Sequence, residues 1–291
     1  MNITTIIQKS GIKNIIPDRI YLAIKYRKHF GYWMDFNNPK TFCEKLQWLK
    51  LYDRKPVYTT MVDKYAVKDY IGNKIGQEYI IPTLGVWDRV EDIEWDSLPN
   101  QFVLKCTHDS GGIVICKDKG LLNVEKVMLK LQKSMKYDFY LAGREWPYKN
   151  VKHRIIAEKF MEDEKEHDLK DYKFFCFDGE VKYFKIDYDR YSKHGANYYD
   201  RDCNLLDICE QQCPPDFSKK IEIPQNINRM IELAELLSRG FPFLRVDFYS
   251  INGFIYFGEL TFYPAGGMEA YQPEKWNEII GEWIKLPKNN E

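Results

Sequence analysis

No paired-cysteine grid, no long apolar run and no excess of either charge sign marks this 291-residue chain. Its seven cysteines are odd in number and scattered, which argues against a disulfide framework and for reduced thiols. Cys209 and Cys213 form the closest pair, but they lack the further ligands that a zinc site needs. No window approaches the ~20 apolar residues of a membrane span. The N-terminus has no apolar stretch followed by a small-residue cleavage site, so the expected location is the cytoplasm, with at most peripheral contact at the inner face of a membrane. The 43 basic and 43 acidic residues cancel, which removes the basic footprint of a nucleic-acid binder. A small-molecule or glycan substrate fits better. Internal repeats and low-complexity segments are also missing, so one compact protein of two or three lobes is the economical reading.

What is present is aromatic and patterned. Aromatic residues make up 15% of the chain, with 21 tyrosines and 7 tryptophans, as in a globular protein with amphipathic pockets. The first third reads as helical: Pro17 to Phe30, then Phe42 to Leu51 behind a capping box of Thr41 and Glu44, then about Thr59 to Ile71 closed by Gly72 and Gly76. A short strand is expected at Tyr79–Gly85. Strands at 102–106 and 113–116 flank Thr107-His-Asp-Ser-Gly-Gly112, a loop whose glycines allow backbone N–H groups to approach phosphate oxygens. A helix follows at about Asn123 to Tyr137. Further strands are expected at 154–158, 172–177 and 181–186, the last two joined by a turn at Asp178-Gly179. Residues 191–224 read as polar and irregular. A helix at about 225–238 precedes the most informative stretch, and a terminal helix spans about Trp276 to Trp283.

That stretch is Phe243-Leu-Arg-Val-Asp-Phe-Tyr-Ser-Ile-Asn-Gly-Phe-Ile-Tyr-Phe-Gly-Glu-Leu-Thr261, two strands with a hairpin signal at Asn252-Gly253. Arg245 and Asp247 share one face, and Glu259 and Thr261 share a face on the return strand, because side chains alternate. A two-residue loop would set Asp247 and Glu259 on opposite faces. A three-residue loop with a bulge would set them opposite each other, with Cβ atoms ~5 Å apart. The bulged loop is expected here, since two carboxylates that close call for a cation, and hard oxygen ligands point to Mg²⁺. An exposed hairpin whose acids only solvate it is the plain alternative.

In order along the chain stand Lys105 on a strand, the glycine-rich loop, Glu158 ending a strand, Lys173 on the next, and Arg245, Asp247 and Glu259 on the hairpin. This series resembles the ATP-grasp superfamily, and within it the TupA-like group of teichuronopeptide and other surface-polysaccharide biosynthesis. The likeness runs from Asn38-Pro-Lys-Thr-Phe-Cys-Glu-Lys-Leu-Gln-Trp48 through Asp63-Lys-Tyr-Ala-Val67 and Asp171-Tyr-Lys-Phe-Phe-Cys-Phe177 to Phe243-Leu-Arg-Val-Asp247. It implies an α+β fold in which two lobes with antiparallel sheets clasp ATP, preceded by a mainly helical region. The corresponding boundaries are 1–97 for that region, 98–157 for the small lobe and 158–291 for the large lobe. The implied activity is amide formation between a carboxylate and an amine through an acyl-phosphate, with a uronic acid and an amino acid as candidate partners.

Residue by residue, the resemblance implies ATP-phosphate binding by Lys64, Lys105 and Lys173. His108, Ser110, Gly111 and Gly112 fall in the phosphate-covering loop, and Glu158, Lys159 and Phe160 at the adenine. One acid among Glu166, Asp168 and Asp171 would hold the ribose. Asp247, Glu259 and Thr261 would bind Mg²⁺, with Thr261 standing where such ligases commonly place Asn. Arg245 and Lys173 would serve the chemistry, with Arg245 facing the acyl-phosphate. Arg190 and Arg201 could pair with a substrate carboxylate. His108, His153 and His194 are the candidate bases for the amine. Asp187-Tyr-Asp189 spells the acidic pattern of nucleotide-sugar glycosyltransferases, which keeps that activity as an alternative. A phosphotransferase or a nucleotide-responsive scaffold would share the ATP site. The basic, aromatic helix around Tyr21–Phe30 packs with snorkelling lysines or touches a membrane carrying lipid-linked glycan.

Overall fold

The computed structural model describes residues 15–164, 169–189 and 193–288. It has an α+β fold whose strands form a four-stranded and a six-stranded antiparallel sheet among those residues. Among the described residues four helices come first: α1 (Asp18–Phe30), α2 (Phe42–Tyr52), α3 (Val57–Val62) and α4 (Ala66–Ile75). The expected capping box starts α2, with the Thr41 hydroxyl accepting from the Glu44 N–H and the Glu44 carboxylate accepting from the Thr41 N–H. The single helix expected at 59–71 is broken. Asp63 leaves helical geometry, and its carboxylate accepts from the N–H groups of Tyr65 (2.9 Å) and Ala66 (3.2 Å), starting α4 afresh. The Lys64 N–H at the break goes to the Thr107 carbonyl at 3.1 Å. No helix of the described residues is long and apolar enough to cross a membrane.

The smaller sheet has the order β1-β4-β2-β3, built from β1 (Thr83–Trp87), β2 (Phe102–Cys106), β3 (Ile113–Cys116) and β4 (Ile155–Lys159). The strand expected at 79–85 begins later because Gln77–Tyr79 form a 3₁₀ turn. Because β1 precedes residue 98 and β4 runs past residue 157, both boundaries proposed there fall within this sheet. Helix α5 (Val124–Met135), started by the Asn123 side chain, and the short α6 (Phe139–Gly143) follow β3. Val127 and Leu131 of α5 join Phe102, Leu104, Ile155 and Ala157 in a core of its own.

The larger sheet runs β10-β9-β5-β6-β7-β8, from β5 (Asp171–Phe177), β6 (Glu180–Tyr188), β7 (Gly195–Asp200), β8 (Leu205–Leu206), β9 (Leu244–Ile251) and β10 (Phe254–Thr261). Helix α7 (Ile227–Ser238) packs on β5, β6 and β9, and α8 (Lys275–Trp283) packs against α2. Leu22, Tyr26, Leu46 and Trp48 share a core with Phe174, Phe175, Tyr183 and Phe243, so the helical region is built onto the large sheet. Strand β7 corrects the irregular reading of 191–224. Its Gly, Asn and Asp are poor strand formers, and six residues of pairing with β6 override them.

The hairpin also differs from expectation. Asn252 (φ 51°) and Gly253 (φ 80°) form a two-residue turn between Ile251 and Phe254, the primed geometry that suits strand twist. The extra residue lies inside β10 instead. Pairing shifts between Phe257 and Glu259, leaving Gly258 as a bulge and setting Glu259 across from Asp247. A Cβ at Gly258 would stand 3.0 Å from the Asp247 carbonyl oxygen.

Candidate functional site

Pairing across the large sheet aligns one row of side chains: Glu259 on β10, Asp247 on β9, Lys173 on β5, Lys185 on β6 and Tyr198 on β7. Alternation places Arg245, Asp171 and Asp187 on the same face. Lys173 is buried, its ammonium 2.8 Å from Asp171, 2.9 Å from Asp187 and 3.6 Å from Asp247. Burial pulls its pKa down, but these carboxylates outweigh burial and hold it above the ordinary lysine value. Arg245 donates to both oxygens of Asp247 at 2.7 Å and to Glu259 at 2.6 Å. The Thr261 hydroxyl donates to Glu259 at 3.2 Å.

The two acids respond oppositely to this setting. Burial dominates at Asp247 and pushes its pKa up to about 6, against the pull of Arg245 and Lys173. At Glu259, half-exposed to the cleft, burial raises the pKa but Arg245, Lys173 and Lys64 outweigh it and bring it to about 2. Among the described residues no group of three or more His, Cys, Asp or Glu side chains could hold a metal ion. Two carboxylates and a hydroxyl nevertheless fit Mg²⁺, which takes few protein ligands and fills its shell with water and substrate phosphate.

The row opens into a cleft of about 390 Å³ between the two sheets, a size suited to a small-molecule ligand. Ile81, Val103, Ile115, Phe160, Leu169 and Tyr249 line it with apolar surface. Its polar lining includes Lys64, Lys105, Lys173, Asp171, Asp247 and Glu259. Glu158 on β4 accepts ion pairs from Lys105 and from Lys68, each at 2.5 Å. Burial raises the Glu158 pKa, yet the two ammonium groups bring it below the ordinary value. Lys159 and Phe160 also line the cleft, with the Lys159 N–H taken by the Pro82 carbonyl at 3.0 Å.

Above the cleft the loop 107–112 is tied down by Asp109. Its carboxylate accepts from the Gly112 N–H at 3.0 Å and from the Ser134 hydroxyl, and its carbonyl accepts from the Lys64 ammonium. Burial lowers the Lys64 pKa. Ser110 lines the cleft and Gly111 is exposed. Gly112 is confined, since a Cβ there would meet Ser134 Oγ at 2.5 Å and Cys106 Sγ at 2.7 Å.

Other sequence candidates lie elsewhere. His108 is buried behind the loop, its ring stacked on His153 at 3.5 Å and its Nε2 3.2 Å from the Ser134 carbonyl. Burial, then His153, lowers its pKa. Expected at the phosphates, it packs against the end of α5 instead. His194 lies near the row, 3.8 Å from Asp187 and 3.3 Å from Cys213. Arg201 pairs with Glu235 of α7 at 3.1 Å, on the helix-covered side of the sheet and away from the cleft. Asp171 holds Lys173, while Arg190, Glu166 and Asp168 lie outside the described residues. Asp187 and Asp189 do not converge: Asp187 pairs with Lys173 and Lys185, and Asp189, at φ 54°, pairs with Lys219. Cleft residues that the sequence did not point to include Lys68 and Tyr148. Lys68 lies on the first turn of α4 beside the Lys64 break, and Tyr148, from a loop remote in sequence, carried no local signal.

The family model of TupA-like ATP-grasp proteins matches residues 44–285. The chain belongs to this family. ATP is therefore its nucleotide, and the apolar and charged parts of the cleft offer places for the base and the phosphates of ATP. None of the curated proteins matches the chain. Among solved structures it is similar to the D-alanine–D-alanine ligase of Bacillus anthracis complexed with ATP, at 15% identity and a TM-score of 0.39, covering 69% of this chain and 53% of that one. The D-alanine–D-alanine ligase of Helicobacter pylori is similar at 14% identity and a TM-score of 0.43, covering 84% and 69%. The ATP-grasp ligase PsnB with its minimal precursor, Mg and ADP is similar at 12% identity and 0.40, covering 90% and 67%. The chain thus spans about half the length of the first of these ligases.

Proposed function

We propose that this TupA-like ATP-grasp chain is an ADP-forming ligase that joins an amine to a carboxylate through an acyl-phosphate. The proposed partners are an amino acid or other small amine and the uronic-acid carboxylate of a surface polysaccharide or its precursor; this substrate class follows the teichuronopeptide-type resemblance. The observation that carries the reading is the row Glu259–Asp247–Lys173 with Arg245 between the acids, set in a cleft that also has an apolar wall. ATP with Mg²⁺, when bound, supplies the phosphoryl group that makes a carboxylate a competent acyl donor. Asp247, Glu259 and Thr261 would hold the ion, and Lys64, Lys105 and Lys173 would neutralise phosphate oxygens. The always-charged Arg245 would stabilise charge developing on an acyl-phosphate. The anchored 107–112 loop keeps water from an intermediate that it would hydrolyse.

Purified protein incubated with ATP, Mg²⁺ and a panel of uronates and amino acids tests the reading by mass spectrometry. ADP together with a condensation mass supports it. ADP with a phosphorylated glycan and no amide redirects the site to a phosphotransferase, and a lack of nucleotide turnover overturns the ligase assignment.

A further inference from the structure

Large apolar side chains exposed on this protein are unevenly spread. Ile15, Ile20, Ile24, Tyr32, Trp33 and Tyr52 lie in or beside α1 and the loop after it, whereas the rest are scattered over the chain. Ile15 is 81% exposed and Trp33 62%. Helix α1 has two apolar faces. Leu22 and Tyr26 enter the core, while Ile20, Ile24, Arg27 and Lys28 recur on the outer side at i, i+4, i+7 and i+8. Gly31, in the left-handed conformation, then ends the helix and leads to the exposed pair Tyr32 and Trp33.

Charge around this patch is net basic. From residue 15 to residue 40 the chain carries Arg19, Lys25, Arg27, Lys28 and Lys40 against Asp18 and Asp35, although the whole protein is neutral. Asp18 is already engaged by Arg54 at 2.7 Å and Arg144 at 3.3 Å. We propose that this outer face, from Ile15 through Ile20 and Ile24 to Trp33, seats on an anionic lipid surface. A helix of 13 residues is too short to span a bilayer, so it lies along the surface. Isoleucine and aromatic rings enter the headgroup boundary, and Arg27 and Lys28 meet lipid phosphates. A second copy of the chain is a poorer occupant, because a symmetric contact would bring equal basic patches together.

The test uses the full chain in flotation with vesicles of phosphatidylcholine alone or with about 40 mol % phosphatidylglycerol. Bound protein should be at least ~tenfold greater on the anionic vesicles and fall as salt is raised. Ile20→Asp combined with Ile24→Asp should abolish binding. Arg27→Glu combined with Lys28→Glu, both exposed, should lower it at least ~tenfold with a cooperative unfolding transition retained. Equal recovery on neutral vesicles, binding to neither, or binding retained by both double variants overturns the proposal. A dimer by light scattering that the isoleucine variant dissolves overturns it in favour of self-association. None of these results depends on the ligase reading.

Discussion

Asp247 presents a conflict between stability and function that a single substitution can expose. Its carboxyl is almost fully buried and lifted from 3.8 to about 6. Keeping it ionised at neutral pH therefore costs the ligand-free fold ~3 kcal/mol relative to the unfolded chain. Asp247→Asn removes that cost. That figure is already net of the paired bonds from Arg245, which keeps Glu259 in the variant. The expected gain is therefore up to ~3 kcal/mol at pH 7.5, read as a rise of roughly 5 °C in the unfolding midpoint in the presence of a chelator. Between about pH 4 and 6 the two proteins should converge as pH falls, because Asp247 takes up its proton more readily folded than unfolded. Mg²⁺-dependent nucleotide affinity, measured by calorimetry, should be lost in the same variant. A variant that melts lower than the parent and still binds Mg·ATP normally would refute this account of Asp247.

Glu259 should behave in the opposite sense. Held at about 2, it favours the folded state above its ordinary 4.5, and that contribution is lost as pH falls toward about 2; Glu259→Gln should flatten the acid limb of a stability–pH curve in that window. Glu158→Gln leaves Lys68 and Lys105 without their shared carboxylate and should cost about 2–4 kcal/mol by chemical denaturation, part of which saturating Mg·ATP restores. Gly112→Ala should cost ~1–3 kcal/mol through its clash with Ser134 and Cys106 and weaken ATP binding. Gly111→Ala, with open space around it, should be close to neutral and so serves as the control for a general loop effect.

What local chemistry dictates was legible in the residues themselves. The Thr41–Glu44 capping box and the strands flanking 107–112 each rest on a few neighbouring residues and occur as read, whereas Asn252-Gly253 marked the place of the turn but not its two-residue length. The TupA-like likeness was legible because lysines, acids and glycines kept their order over nearly the whole chain. Features set by distant partners were not. Strand β7 exists because β6 offers its edge, and His108 turns away because the end of α5 and His153 take its ring. The pairing of Asp247 with Glu259 shows the division most clearly. The sequence by itself supplied both carboxylates, the arginine and the tight turn. Only the tertiary structure placed the extra residue at Gly258, where a Cβ would crowd the Asp247 carbonyl at 3.0 Å, and so decided which face Glu259 shares.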